Sequence, residues 1–331
     1  MTRYARQTIL PELGKTGQER LSNAHVLVVG AGGLGCPALQ YLSGAGVGHI
    51  TIVDGDTVSL SNLHRQVLFR EDQVGQYKAN AAAKTLSGLN SEIELTAISE
   101  PLTPLNADTL VSEADLVLDC ADCFAASYIL SDTCFAKNKP FITASALGLT
   151  GYAGGFCGGA PSLRAVFPDL PDRAANCATA GVLGPVVGLI GAAQAQMAIA
   201  VLTKIEPNPL GQLVSFDLKT FRQTSFRFDA APEPEERLGF ISASQIKPGD
   251  FVVELRDMDE APNPVTPAAT RLTVANVQSQ NPVPAPGQRA VLTCRSGLRA
   301  WQAATHLQTY WDGPISLIAM GDAPEIERQS S

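Results

Sequence analysis

The sequence predicts an α/β protein in two parts, a doubly wound, largely parallel sheet followed by a smaller α/β unit. Three observations predict it. His25-Val26-Leu27-Val28-Val29 is an apolar run that opens directly into Gly30-Ala31-Gly32-Gly33-Leu34-Gly35. A buried strand that turns through glycines into a helix makes the phosphate cradle of a βα unit. Short apolar runs of the same type recur at His49–Val53 and at 115–120, with Ala- and Leu-rich helical stretches between them, as expected for parallel strands covered on both faces. Lastly, the Pro- and Glu-rich segment 230–237 reads as a linker, so residues 1–229 and 238–331 are expected to be separate domains.

With 331 residues, 45% of them hydrophobic and 17% charged, the chain has material for two packed cores. The net charge of −8 argues against nucleic acid as the main partner, because phosphate neutralisation needs clustered Lys and Arg. No basic segment followed by a short apolar core opens the chain, so no secretory leader is expected. The apolar stretch 181–202 is long enough to suggest a membrane span, but Pro185, Gln194, Gln196 and its many small residues favour a buried helix. The seven cysteines are odd in number and irregularly placed, which is not a disulfide framework. A soluble, cytoplasmic protein with neither membrane nor nucleic-acid partner is expected.

Taken in order, Arg3-Tyr4-Ala5-Arg6-Gln7 is a basic arm, and the amphipathic stretch 17–21 leads to the first strand. Gly35–Ala45 reads as the first helix, and Lys78–Leu89 as another, closed by Asn90. Residues 93–98 alternate as a strand, 115–120 are a buried strand, and 141–146 are a further strand followed by the glycine-rich stretch 148–159. After the long apolar helix, 213–217 and 224–228 read as an antiparallel pair. No internal repeat is evident.

The second strand ends in Asp54, where folds of this kind hydrogen-bond a ribose. To that point the pattern fits NAD and ATP equally well. Beyond it, Asp54-Gly55-Asp56-Thr57-Val58 leads into Ser61-Asn62-Leu63-His64-Arg65-Gln66, and then Gly75-Gln76-Tyr77-Lys78. A nicotinamide oxidoreductase would use the glycines and Asp54 but leave Arg65 and Lys78 idle. A nucleotidyl-transfer site needs such side chains to hold a triphosphate and to neutralise the charge that develops on it. A non-catalytic scaffold with decayed sites is the third reading, and the near-complete constellation speaks against it. With these residues the chain resembles the ThiF/MoeB/HesA family, relatives of the ubiquitin-activating enzymes that adenylate the C-terminal Gly-Gly of ubiquitin-like sulfur carriers.

The resemblance implies a Rossmann-like adenylation domain using ATP and Mg²⁺. Gly32, Gly33 and Gly35 would cradle the triphosphate, and Asp54, with Asp56 beside it, would serve the ribose end. Asn62, Arg65, Gln66 and Lys78 would bind and polarise phosphates. The essential aspartate of the family falls on Asp122, at the end of Asp119-Cys120-Ala121-Asp122, where a carboxylate at the carboxyl edge of the sheet can serve Mg²⁺. Read alone, a carboxylate there is more often a helix cap. The family's N-terminal arm carries an arginine that enters the neighbouring subunit's ATP site; that role falls on Arg6 and implies a homodimer. Cys177, before Ala178-Thr179-Ala180-Gly181, reads on chemistry alone as a small buried hydrophobe. In the family it is the thiol proposed to meet the activated carrier, and a thiol leading to a helix N-terminus can have a lowered pKa. Adenylation is expected to survive Cys177→Ala.

Two departures from the family stand out. Cys123 occupies a position usually held by Asn, which puts one polar contact to the nucleotide in question; with Cys120 it makes a lone C-x-x-C, a weak zinc or redox signal because zinc wants four ligands. Most relatives hold a structural zinc with two C-x-x-C pairs. Here the first pair's positions are Ser162 and Ala165, and 226–239 has no cysteine, so no zinc is expected.

In the second part, Ile241-Ser242-Ala243-Ser244-Gln245 is a helix-start pattern, 251–257 a strand and 261–267 a proline-rich loop. The strand 290–293 then ends at Cys294-Arg295-Ser296-Gly297-Leu298-Arg299, with a helix at 300–307 behind it. A cysteine wrapped by a loop that opens a helix is a site for a stabilised thiolate or persulfide, and Arg295 and Arg299 add positive charge. This loop resembles that of the rhodaneses, with Glu254 replacing the aspartate of their Asp-Val-Arg element; phosphatase loops are one residue longer between Cys and Arg. The resemblance implies that Cys294, loaded by a donor such as a cysteine desulfurase, converts the adenylated carrier to a thiocarboxylate. An inactive rhodanese relic is the alternative.

Overall fold

The computed structural model describes residues 3–169 and 181–321. Strands β1 (His25–Val29) and β2 (His49–Val53) form over the two β-branched runs and pair in parallel, with Val29 opposite Val53. The other edge of β1 pairs with β4 (Leu116–Asp119), Val29 opposite Asp119. With β3 (Glu94–Ile98), β5 (Pro140–Leu147), β6 (Thr150–Cys157), β7 (Gln212–Asp217) and β8 (Arg222–Arg227), they make an eight-stranded sheet in the order β3-β2-β1-β4-β5-β6-β7-β8. It is parallel from β3 to β5 and antiparallel from β5 to β8. The strand order reverses between β1 and β4, and open α/β sheets bind ligands in the crevice beyond the strand ends at such a point.

Among the described residues the helices of this part are α1 (Gly14–Asn23), α2 (Gly35–Ala45), α3 (Lys78–Leu89), α4 (Pro104–Glu113), α5 (Phe124–Ala136), α6 (Leu163–Val166) and α7 (Gly184–Thr203). The glycine-rich stretch is strand β6, and its glycines admit close backbone packing: a Cβ on Gly155 would lie 2.6 Å from the Pro209 carbonyl oxygen. Helix α4 starts at a capping box, Thr103 accepting from the Asn106 N–H at 3.3 Å while Asn106 accepts from the Thr103 N–H at 2.8 Å. Helix α7 has the length and composition to cross a bilayer, yet it lies on the sheet with Val186, Val187 and Ile190 buried. Gln194 within it donates to the Asp119 carbonyl at 2.7 Å. The expectation of a buried helix holds for one face only, since Leu189 is 42% exposed.

The second part is a five-stranded parallel sheet, β11-β10-β12-β13-β9, made of β9 (Gly239–Phe240), β10 (Phe251–Glu254), β11 (Thr270–Arg271), β12 (Ala290–Cys294) and β13 (Ile315–Ala319). Helices α8 (Val274–Gln280) and α9 (Leu298–Gln308) pack on it. The helix start expected at 241–245 is a single 3₁₀ turn, Ala243–Gln245. Gln245 accepts from the Ser242 N–H at 2.8 Å and donates its own N–H to the Ser242 carbonyl at 2.9 Å, but Ile246 is already extended and Pro248 follows, so the turn goes no further.

The segment between β8 and β9 is tied down. The Ser162 N–H and hydroxyl both donate to the Glu233 carboxylate at 2.6 Å, Arg237 donates to it at 3.0 Å, and the Arg237 guanidinium sits 4.8 Å over the Phe135 ring. Arg164 is buried; it grips Asp132 through two bonds of 2.7 and 2.8 Å and donates to the Leu238 carbonyl at 2.9 Å. Its guanidinium lies over both the Tyr128 ring (4.8 Å) and the neighbouring Trp301 ring (5.2 Å). One apolar core runs from Leu27, Val117 and Phe141 through Tyr128 to Leu292, Trp301 and Leu317. The two sheets therefore share buried surface, and that burial, rather than the linker alone, sets their relative position.

Candidate functional site

The crevice is built from the end of β1 outward. Gly30 has φ +94, and a Cβ on it would lie 2.6 Å from the Cys120 carbonyl oxygen; a Cβ on Gly35 would lie 2.0 Å from the Gly30 oxygen. These two glycines make the turn itself possible. Gly32 is different, because a Cβ there would meet only Gln66 Nε2, 3.7 Å away. Its lack of a side chain leaves an open surface rather than relieving a clash. Gln66 borders that surface with its side chain 4% exposed and its buried Oε1 without a partner. A buried acceptor with no donor costs stability unless something else supplies one, so this edge suits a polar ligand.

Asp54 caps the turn from β2. Its carboxylate accepts from the Ala31 N–H at 2.7 Å and from the Asp56 N–H at 2.8 Å. Burial pushes its pKa up, against the charge of Lys78 and those two bonds. Asp56 in turn pairs with Lys78 Nζ at 2.7 Å, and the Lys78 N–H donates to the Asp56 carbonyl at 2.9 Å. The first turn of α3 is thereby stitched to the end of β2. Arg65 donates to Asn62 Oδ1 at 2.8 Å and to His64 Nε2 at 2.9 Å. His64 was not foreseen as part of this group, and its only signal in the sequence is adjacency to Arg65.

Across the crevice, β4 ends in Asp119, Cys120, Ala121 and Asp122. Asp122 is exposed at the edge. Asp119, not foreseen as a functional position, is fully buried. It accepts from the Ala121 N–H at 3.1 Å and the Thr143 hydroxyl at 2.8 Å, which shapes the turn presenting Asp122. Burial pushes its pKa to about 6, opposed by hydrogen bonds from Ser127, Thr143 and Ala121. Cys120 and Cys123 do not act as a pair: Cys120 donates to Gln194 Oε1 at 3.4 Å beneath the sheet, and Cys123 faces the Ser296 carbonyl at 4.0 Å.

The structure thus brings together Gly32, Gly33, Gly35, Asp54, Asp56, Asn62, Arg65, Gln66, Lys78 and Asp122 on one edge of the sheet. Arg6 is exposed and is not among them. Its arm is tied to the far end of α2, where Gln7 donates to the Ala45 carbonyl at 2.8 Å and Tyr4 accepts from Asn90 at 2.9 Å. Cys177 lies outside the described residues. Ser162 and Ala165 hold no metal ligand, and Ser162 is bonded instead to Glu233, which belongs to the 226–239 segment. Among the described residues no group of three or more His, Cys, Asp or Glu could hold a metal ion.

In the second part Cys294 ends β12, fully buried, and its Sγ accepts from the N–H groups of Gly297 at 3.2 Å and Ala300 at 3.3 Å. The expected donors are therefore present, and burial works against them. Burial pushes the thiol up, and the Ala300 and Gly297 bonds and the charge of Arg299 only partly offset it. That charge is itself spent, because Arg299 is paired with Glu260 at 2.6 and 2.7 Å. Glu254 is fully buried. Burial acts to raise its pKa, but Arg256, bonded at 2.9 and 2.8 Å, and the Arg256 and Val265 N–H groups outweigh this and hold it below the usual range. The Ser296 carbonyl faces Cys123, as above, and Arg295 lies beside it on the loop.

The family model for ThiF matches residues 4–238. The chain belongs to the ThiF family. It is 45% identical over 220 residues to the adenylyltransferase and sulfurtransferase MOCS3 of Drosophila sechellia, covering 66% of this chain and 49% of that one. It is 46% identical over 254 residues to the adenylyltransferase and sulfurtransferase uba4 of Pyricularia oryzae, covering 72% and 51%. The chain spans about half the length of the curated relatives it matches. Among solved structures, E. coli MccB with ATP superposes with a TM-score of 0.62 at 25% identity, over 70% of this chain and 73% of that one. PaaA superposes with a TM-score of 0.60 at 25% identity, over 68% and 72%. The ThiF match covers the eight-stranded sheet and its crevice, with the MccB likeness supporting a Rossmann-like core.

Proposed function

We propose that this ThiF-family chain adenylates the C-terminal Gly-Gly carboxylate of a ubiquitin-like sulfur carrier in the β1/β4 crevice, and that Cys294 supplies the sulfur that makes it a thiocarboxylate. The observation that carries the first half is the open surface over Gly32, bordered by the unpartnered Gln66 oxygen, with Lys78 and the Asn62–Arg65 pair on the same edge. Gly32, Gly33, Gly35 and the first turn of α2 would hold the phosphates of ATP. Arg65, Lys78, Asn62 and Gln66 would neutralise charge as pyrophosphate leaves, and the remaining lone pairs of Asp54 would take the ribose. Asp122 would ligate Mg²⁺, which supplies further charge neutralisation on the phosphates.

Arg6 would complete the crevice of a second copy. The exposed side of α7 fits a homodimer: a hollow of about 410 Å³ lies there between Gln7, Tyr41, Ala192 and Gln196, near the exposed Leu189, Ile9 and Leu10. The Ser162–Glu233 bond would replace a structural zinc, since it ties the two segments that the metal would otherwise tie. Residues 238–331 would act as a rhodanese-like sulfurtransferase loaded by a cysteine desulfurase or similar donor, in the cytoplasm. The test is ATP–pyrophosphate exchange with purified protein and a panel of small Gly-Gly carriers. Exchange that needs one carrier and is lost in Asp122→Ala supports the proposal; absence of ATP binding refutes it and favours a decayed scaffold.

A further inference from the structure

The loop that carries Cys294 is seated on the crevice edge of its own chain. Cys123, next to Asp122, donates its thiol to the Ser296 carbonyl at 4.0 Å. The Gly297 N–H of that same peptide group points to Cys294 Sγ at 3.2 Å. A single peptide group therefore stands between the neighbour of Asp122 and the sulfur. The seat is tight: Gly297 has φ +87, and a Cβ there would lie 2.7 Å from the Phe240 ring and 3.3 Å from Ala125 Cβ in the first turn of α5. Beneath it Ala107, Ala125 and Ile129 are buried against Phe240 and Ala319. The Glu233 tie and the Arg164–Trp301 stack hold the two sheets in this relation.

Resting on the reading that this crevice activates a carboxylate, we infer that sulfur delivery is intramolecular. Cys294 serves the crevice of its own chain, not that of a second copy, and the Ser296–Gly297 peptide on Cys123 is the docking point. The terminal sulfur of a Cys294 persulfide attacks the acyl carbon; a C–S bond forms, the C–O bond to AMP breaks, and AMP leaves with the electron pair. A second thiol then attacks Cys294 Sγ, and the thiocarboxylate leaves with the electrons of the broken S–S bond. The resulting mixed disulfide is reduced by another equivalent of thiol, which is oxidised. Holding the two centres side by side replaces a bimolecular encounter. Because Cys294 is fully buried when seated, loading and attack both take place with the loop lifted, and the seat keeps the sulfur beside the crevice of its own chain between them.

The test is complementation between two full-length chains, Asp122→Ala and Cys294→Ala, carrying different tags and co-purified as a mixed complex. Thiocarboxylate on the carrier is read by mass spectrometry, with carrier-dependent exchange and Cys294 persulfide scored in the same sample. Intramolecular delivery predicts product below about one hundredth of wild type, since no chain holds both centres. Product at about a quarter of wild type or more overturns it. A second variant, Ala125→Trp, wedges the seat without touching either centre: delivery is expected to fall at least tenfold while exchange persists, and undiminished delivery overturns the docking. If wild type itself shows no exchange with any carrier, the adenylation reading falls instead.

Discussion

Asp119→Asn should make the protein relatively more stable as pH rises, with the change concentrated between about pH 4 and pH 6. The side chain is fully buried, and its pKa is pushed from the ordinary 3.8 to about 6. In the unfolded chain the carboxyl ionises near 3.8, while in the folded chain it keeps its proton until about 6. The folded state therefore binds more protons across that window, so its stability falls as pH rises and levels off above it. At about 1.4 kcal/mol per pH unit, the displacement amounts to about 3 kcal/mol. Asparagine keeps the shape, its oxygen accepting from the Ala121 N–H and its NH₂ donating to the Thr143 hydroxyl, but it never ionises. Denaturant unfolding of both proteins from pH 3.5 to pH 7.5 measures the difference, and charges elsewhere cancel in it. The stability of the variant relative to wild type should climb by about 3 kcal/mol across the window and then stay flat. Parallel curves would mean that Asp119 ionises in the fold as readily as in water, and the reasoning from burial would be wrong.

Glu233→Ala should lower stability by about 2 kcal/mol, because two charge-assisted bonds from Ser162 are lost. Its denaturant midpoint tests this, and metal analysis of the wild type should find no stoichiometric zinc. Gly32→Ala should fold normally and weaken ATP binding at least tenfold by calorimetry, whereas Gly35→Ala should fail to fold, since its Cβ would lie 2.0 Å from a backbone oxygen. Lys78→Met should cut carrier-dependent exchange by about a hundredfold, as loss of a positioned charge at a transition state does, with a modest fall in melting temperature from loss of the Asp56 pair.

What could be read beforehand was local. The run into Gly30, the acid at Asp54 and the Cys294 loop are each written in a few consecutive residues, and the structure has strands, turn and thiol where those residues put them. Helix α5 left no such trace. It buries Tyr128, Leu130 and Cys134 in the core that runs between the two sheets, and Ala125 and Ile129 against Ala107, Phe240 and Ala319, so no apolar stripe faces a polar one and the helical period is lost. What works against a thiolate at Cys294 was hidden for a related reason. Loop donors lie within six residues of it, but burial by the whole fold and the neutralising Glu260, 39 residues from Arg299, do not show in the loop. Segment 230–237 has the composition of a solvated linker, and only the distant Ser162 reveals that Glu233 is a fastening. The two departures from family pattern gain meaning the same way. The absent cysteines at 162 and 165 coincide with a hydrogen-bonded tie, and the cysteine at 123 meets the sulfur loop. A missing ligand is visible in one dimension, whereas the contact that takes its place exists only once both segments are brought together.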